Sequence, residues 1–469
     1  MEIIKKIKTM DKVTKASIAY VLVAFFQKGI TVISGPIFTR ILSVNEYGIL
    51  SVYNSWFEMI GVLTMLSLSS GVYNNGLLEF KDDRNIFTYS LLILSNIATI
   101  SVAIFFLICQ KIIIKLFAMP TSLIYLMFLC YLFMPAMSFW IARQRYEYKY
   151  KLSCIVTAVS TFLAVCVSVI FTYIISDNKV IMKLWSEKIV FFLFWIVLYS
   201  SISIKAKFKI NLSYWKYALS FTLPLIPHYL ANYILNGIDR IMILNMIGKS
   251  SAAIYAVAYS AAFMVQIFWQ SINAAILPLT YENIKAGNYK NIEKVVLPYV
   301  CVYGCLCIVV SFIAPEIMYI LAPSEYRDGQ FLIPILTVGV FLTGLYCLFA
   351  NVEFYYRSTK PIAANSIIAA ILNIFLNYIF IKYYGYKTAA YTTLFCYMIQ
   401  TLLHYRNYRK VSQKIYDEKK LLIIFGIVVI VNFAGLPLYE YRLVRYLLLL
   451  VMGFIAIIFW KKARKVISE

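Results

Sequence analysis

Apolar runs bounded by charged or turn-forming residues recur along the whole chain. They lie at about residues 14 to 37, 47 to 72, 86 to 109, 117 to 141, 152 to 176, 184 to 203, 216 to 244, 251 to 279, 295 to 320, 329 to 354, 361 to 383, 387 to 405, 421 to 438 and 441 to 460. A helix needs roughly 20 apolar residues to cross the hydrocarbon core of a bilayer. Period alone does not separate helix from strand in a continuous apolar run, but transmembrane strands are about ten residues long and alternate. The pattern therefore predicts about fourteen transmembrane helices in an all-α, polytopic integral membrane protein.

Composition sharpens this picture. Of 469 residues, 62% are hydrophobic and only 14% charged; with a mean hydropathy of +0.78, this is not a soluble core. The fourteen helices leave loops too short for a soluble catalytic domain. Forty-four Lys and Arg against 21 Asp and Glu give a net charge of +23. In so apolar a chain this points to the inner face of a membrane rather than to nucleic acid. Counted in alternate loops, starting with the N-terminus, 30 cations fall in one set and 13 in the other, with Lys28 inside a span. The positive-inside bias puts both termini in the cytoplasm. The basic start, Met1 to Lys15, reads as the lead into the first span rather than a cleaved signal.

Nine cysteines, an odd number, lie mostly within apolar runs and show no CxxC or Cys/His spacing, so neither a disulfide framework nor a metal centre is expected. There is no Walker GxxxxGK[ST], GxSxG or HExxH, and the two histidines, His228 and His404, are far apart in sequence. The chain reads as a non-enzyme without a cofactor. Work done by it would draw on an ion gradient, the membrane potential, or consumption of its product.

A weak internal repeat lies near an offset of 205 residues. Gly48 to Ser55 aligns with Ala253 to Ser260, with Ile, Val and Ser identical in register, and Leu116 to Pro120 aligns with Ile320 to Pro323. The expected organisation is a six-helix lobe over 1–203, a second over 204–405, and two further helices with a basic tail over 406–469. An even-numbered repeat keeps its orientation, so the lobes would be related by an axis along the membrane normal and would enclose a central cleft.

Several segments carry a family resemblance. They are Phe38 to Gly48; Asp239 to Leu244 with Ile254, Tyr255, Ala258 and Tyr259; Leu321-Ala322-Pro323; and Asn373 to Tyr378 running into Tyr384 to Tyr386 and Ala389 to Thr393. From about residue 15 to 405 the chain resembles the polysaccharide transporter family, the O-antigen or oligosaccharide flippases of the multidrug/oligosaccharidyl-lipid/polysaccharide exporter superfamily. The resemblance implies a bacterial inner-membrane carrier moving an undecaprenyl-diphosphate-linked oligosaccharide outward for O-antigen, capsule or exopolysaccharide assembly by alternating access. It also implies H⁺ or Na⁺ coupling as a candidate energy source and a polysaccharide polymerase or chain-length regulator as candidate partners. Two rivals remain: a cation-coupled multidrug exporter of the same superfamily, and a membrane polysaccharide polymerase or ligase. The latter is expected to carry a long outer loop, which this chain lacks.

Ionisable residues inside spans are costly and are functional candidates by default. Lys28 stands near the middle of the first span and Glu58 at similar depth in the second, so they are candidates for the cavity or for a structural pair with each other. Asn232, Asn236, Asp239 and Arg240 follow one another along the seventh run, after Pro224, Pro227 and His228. Gln266 and Gln270 (with Asn273), and Asn365 and Asn373 (with Asn377), form polar stripes on the eighth and eleventh runs, as cavity wall or as interhelical hydrogen bonds. Arg143, Arg145, Arg357 and Lys360 occupy equivalent cytoplasmic ends in the two halves, where they would meet a diphosphate or simply obey the positive-inside bias.

Overall fold

The computed structural model describes residues 12–69 and 71–454; the end of the last run and the basic tail lie outside the described residues. Among the described residues every regular element is helical. In order these are α1 (Lys12–Ile41), α2 (Val44–Met65), α3 (Gly71–Glu79), α4 (Arg84–Ile108), α5 (Gln110–Phe117), α6 (Thr121–Tyr146), α7 (Tyr150–Ile174), α8 (Lys179–Lys205), α9 (Leu212–Thr222), α10 (Ile226–Met246), α11 (Lys249–Lys285), α12 (Tyr289–Phe312), α13 (Ala314–Leu321), α14 (Ile333–Tyr355), α15 (Thr359–Tyr384), α16 (Thr388–Val411) and α17 (Glu418–Gly435). A further helix runs from 442 to the last described residue, 454.

Among the described residues, ten helices are long and apolar enough to cross a membrane: α1, α4, α6, α7, α8, α11, α12, α14, α15 and α17 with its 3-10 extension. The remaining predicted runs also become helices, but with identifiable departures. The run from 47 to 72 stops at Met65, where Leu66 turns left-handed (φ 50°) before α3 begins. The run from 216 to 244 breaks at a 3-10 turn, Leu223–Leu225. Pro224 and Pro227 lack the N–H groups that an uninterrupted helix needs there. Helix α16 is too polar to pass on hydropathy, because its buried face holds Thr392, Thr393, Gln400, Thr401, His404 and Asn407.

Local chemistry sets several boundaries. Ser43 caps α2, its hydroxyl accepting from Glu46 N–H while Glu46 reaches back to the Ser43 N–H at 3.0 Å, a reciprocal capping box. Asp417 caps α17 by accepting from Lys419 N–H at 3.0 Å. Gly385 ends α15 with φ 83°, a conformation that favours glycine.

The chain divides into two compact units between Leu230 and Ala231. In the first, α8 packs on α7 and α6, α1 packs on α7, and α4 lies against α6 and α2. Ile97, Ile100, Ile104 and Ile108 remain exposed along one face of α4, as a lipid-contacting helix requires. Gly76 sits under the Phe87 ring, where a Cβ would lie 2.1 Å from the ring edge. In the second unit α14 is central: 89% of its most apolar stretch is buried, with α16, α11, α12 and α17 packed round it. Hydrophobic burial does not drive helices together in lipid, so close packing through small residues must. Gly344 serves that end: a Cβ there would lie 2.6 Å from the Tyr303 ring and 3.1 Å from Trp269.

Candidate functional site

In the second unit, α10, α11, α15 and α16 enclose a carboxylate. Asp239 is 1% exposed. Tyr255 Oη and Thr393 Oγ1 donate to its Oδ2 at 2.6 and 2.7 Å, and Asn377 Nδ2 donates to its Oδ1 at 2.6 Å. Asn373 extends the network, donating to Thr393 Oγ1 at 3.1 Å and accepting from Asn377 at 3.3 Å. Thr392 donates to Asn377 Oδ1. One turn before Asp239, Asn236 Oδ1 accepts from Tyr259 at 3.2 Å and Tyr397 at 2.9 Å. The Arg240 guanidinium lies over the Tyr259 ring at 4.2 Å, a cation–π contact. A carboxylate that meets only donors is held at one fixed position. Asn236, Asp239, Arg240 and Asn373 thus belong to one cluster.

The other candidates of this unit are more dispersed. Asn232 and Gln266 are half-buried and Gln270 is exposed. Asn365 is buried, and its Nδ2 has no hydrogen-bond partner. Asn273 accepts from Asn351 Nδ2 at 2.7 Å, joining α11 to α14. Arg357 and Lys360 are both exposed between α14 and α15.

In the first unit Lys28 and Glu58 both leave their side chains exposed on α1 and α2. Arg143 is fixed: Nε donates to Glu147 Oε1 at 2.8 Å and Nη1 to Asn85 Oδ1 at 2.6 Å. Lys149 donates to the other Glu147 oxygen at 2.6 Å. Burial works to raise the Glu147 carboxyl, but the Arg143 and Lys149 contacts outweigh it and hold it below its ordinary 4.5. Arg145 is exposed, with its guanidinium 5.0 Å from the Tyr20 ring.

Two charged groups escaped the sequence reading. On α8, Glu187 accepts from Lys183 at 2.5 Å and from Lys188 at 2.7 Å. Lys188 Nζ also lies 5.5 Å from the Phe57 ring centroid. The predicted run from 184 to 203 contains Glu187 and Lys188 but leaves out Lys183, whereas the helix starts at Lys179 and carries all three charges inside it. The second group is Glu353 on α14 with His404 on α16, 0% and 1% exposed, with Oε2 and Nδ1 2.9 Å apart. Fifty-one positions separate the two residues, so nothing local in the sequence signals the pair.

Comparison with known proteins places this architecture. The sequence pattern of the family described as "Polysaccharide biosynthesis protein" matches residues 13–284, and that described as MatE matches residues 224–379. Protein 1 of the Lsg locus of Haemophilus influenzae is 23% identical over 368 residues, covering 77% of this chain and 89% of that protein. A membrane protein of the same organism is 22% identical over 158 residues, 33% of this chain and 39% of its own length. Among solved structures, the lipid II flippase MurJ in an inward closed conformation superposes with a TM-score of 0.71 at 15% identity, covering 95% of this chain and 99% of that one. An inward-facing multidrug resistance transporter of the MATE family gives 0.62 at 13% identity, covering 82% and 94%. Those structural likenesses speak for the fold, and the sequence match over more than half the chain for descent. The chain belongs to the polysaccharide biosynthesis protein family, as a multi-pass transporter of the multidrug/oligosaccharidyl-lipid/polysaccharide exporter superfamily.

Proposed function

We propose that the protein is a flippase that carries undecaprenyl-diphosphate-linked oligosaccharide repeat units across the bacterial cytoplasmic membrane by alternating access, for assembly into a surface polysaccharide. The observation that carries this reading is the family match over residues 13–284 on a chain whose fold covers 99% of a lipid II flippase. The physics supports it: a hydrophilic glycan with an anionic diphosphate does not cross hydrocarbon unaided, so its carrier needs polar and cationic groups inside apolar helices. Lys28, near the middle of α1, and the Lys183, Glu187 and Lys188 group of α8, with one net positive charge, supply such groups in the first unit. Repeats 1–203 and 204–405 are the proposed moving parts, with both termini in the cytoplasm. H⁺ or Na⁺ coupling through the buried carboxylates of the second unit, and hand-over to a polymerase or chain-length regulator, complete the reading.

The MatE match over residues 224–379 favours a second reading, export of a small cationic compound. The experiment is translocation of fluorescent undecaprenyl-diphosphate oligosaccharide in liposomes holding the purified protein, run beside a cationic-dye export assay. Glycolipid movement without dye export is expected; dye export without glycolipid movement refutes the flippase. Lys28→Ala should lower glycolipid movement and Lys28→Arg retain much of it, since the head group needs the charge and not its shape. Equal loss in both variants, with the protein inserted and folded, would make Lys28 purely structural.

A further inference from the structure

We propose that Glu353 and His404 form a proton-binding site in the second unit, the site through which transport is coupled to a proton gradient; this rests on the transporter reading above. The two side chains meet at 2.9 Å and are fully enclosed. Each keeps a second polar atom, Glu353 Oε1 and His404 Nε2, buried and without a hydrogen-bond partner. One turn back on α16, Gln400 is 1% exposed and neither its Oε1 nor its Nε2 has a partner. Four buried polar atoms left unsatisfied round one acid–base pair make a poor structural device. Each such atom costs about 1–3 kcal/mol, and apolar residues of similar volume are often neutral or stabilising in place of a buried ion pair. The chemistry present suits a small mobile charge. The carboxylate and imidazole hold one proton between them; when it leaves, carboxylate and neutral imidazole remain, and Gln400 offers both a donor and an acceptor to whichever form is present.

Placement supports coupling rather than stability alone. Glu353 stands two residues before the end of α14 at Tyr355, beside the segment that carries Arg357 and Lys360. On α16, Thr393, Tyr397, Gln400 and His404 lie at spacings of four, three and four, on one face, and all are buried. Thr393 donates to Asp239 and Tyr397 to Asn236. That face therefore carries polar groups from the Asp239 cluster to the acid–base pair over about 16 Å, at 1.5 Å per residue.

Several titratable side chains of the surrounding helices pack near the pair or are engaged elsewhere. On α14, the Tyr346 ring lies 5.3 Å from the imidazole. On α16, Tyr405 and Tyr408 pack on Phe349. From α11, Tyr281 lies against Tyr355; from α12, Tyr303 donates to the Val340 carbonyl; from α17, Glu418 pairs with Arg409. Among the described residues no other charged side chain forms an ion pair with Glu353 or His404.

Because the chain has two histidines, histidine-selective isotope labelling in a His228→Gln background leaves His404 as a single reporter. The purified protein, without substrate, should show a His404 imidazole signal that changes with pH, and Glu353→Gln should alter that change. A signal that does not respond to pH, or one that responds identically in Glu353→Gln, overturns the proposal. If Glu353→Gln does not fold, Glu353→Asp retracts the carboxylate by one methylene and is held to the same criterion. In liposomes, an imposed pH gradient should speed movement of undecaprenyl-diphosphate oligosaccharide severalfold in the unmodified protein and have no effect in Glu353→Gln or His404→Gln. A gradient response that survives in both variants also overturns it. Failure of the unmodified protein to move the glycolipid would refute the flippase reading and leave the titration as an independent test of the site.

Discussion

Exchanging Asp239 with Asn377 tests whether the polar cluster of the second unit is held by the match of one carboxylate to its donors. Asp239 Oδ2 accepts from Tyr255 and Thr393, and Oδ1 accepts from Asn377 Nδ2 at 2.6 Å. Asp239→Asn keeps an oxygen for the two hydroxyls but sets one amide nitrogen against another. That loses one hydrogen bond and strands two buried donors, for about 2–4 kcal/mol in total. Asn377→Asp instead brings two carboxylates to the same separation, where an effective dielectric of about 20 gives a repulsion of about 6 kcal/mol before relaxation. The double variant restores one carboxylate facing one amide with the roles reversed. It gives up chiefly the 3.3 Å bond from Asn377 to Asn373, worth about 1 kcal/mol. The double variant should therefore be more stable than either single one, a strongly non-additive cycle. Thermal unfolding of the purified protein in detergent, followed by intrinsic fluorescence, gives the order. Losses that simply add, or an Asn377→Asp variant as stable as the parent, would refute the geometry and the charge assigned to Asp239.

Three further outcomes follow from other parts of the molecule. Glu316 holds Arg445 bidentately at 2.7 and 2.8 Å, and Arg445 is 2% exposed; Glu316→Gln should destabilise the packing of the last helix by about 3 kcal/mol, the low end for a broken buried pair because Glu316 is partly exposed, and proteolysis near 440 reads it. Glu147 titrates below its ordinary 4.5 because Arg143 and Lys149 outweigh its burial, so its stabilising contribution is complete at neutral pH and lost only as the pH falls through that depressed value; amide protection over 143–150, relative to the intrinsic exchange rate at each pH, should stay high at pH 6 and fall sharply in acid, whereas Glu147→Gln should show low protection at both. Gly76→Ala should cost about 1–3 kcal/mol, since its Cβ meets a Phe87 ring already confined by Tyr73, Phe80 and Tyr214; a melting point unchanged from the parent would refute the close approach.

The helices were legible because the spanning length and the run of apolar residues are one-dimensional properties. The departures arise where a few residues override that average. Pro224 and Pro227 break the seventh run through backbone chemistry that hydropathy does not register, and Lys183 sits inside α8 because Glu187 pairs with it and with Lys188, whereas a hydropathy reading starts the run after it. The site was legible only in fragments. Asp239, Asn373 and Asn377 stand out in the sequence as polar candidates inside spans, whereas Tyr255 and Thr393 appear only as parts of the resembling segments. Their convergence on one carboxylate is a tertiary fact, spread over 154 positions between Asp239 and Thr393. Glu353 carries the local signal of a charge inside the run from 329 to 354, but its pairing with His404, fifty-one positions away on another helix, has none.

The polarity of α16 ties these strands together. A helix with that many buried polar side chains would be unsuited to lipid if they faced outward, for each unpaired group in hydrocarbon is costly. Here they face α14, α15 and α10: Tyr397 packs on Gly339 of α14, and Thr393 and Tyr397 bond to Asp239 and Asn236. Along most of its length its exposed positions are Tyr391, Phe395 and Leu402, which suit lipid, and the exposed cations Arg406, Arg409 and Lys410 come only in its last turns. The poor hydropathy of α16 is thus the sum of an apolar outer face and a polar inner one, and the inner face coincides with the buried carboxylates of Asp239 and Glu353. Stability alone would be served by leucine at most of these positions. That the polar groups persist along one face, from the carboxylate of α10 to the acid–base pair at the end of α14, is what a carrier needs if charge is to be bound and released within an otherwise apolar bundle.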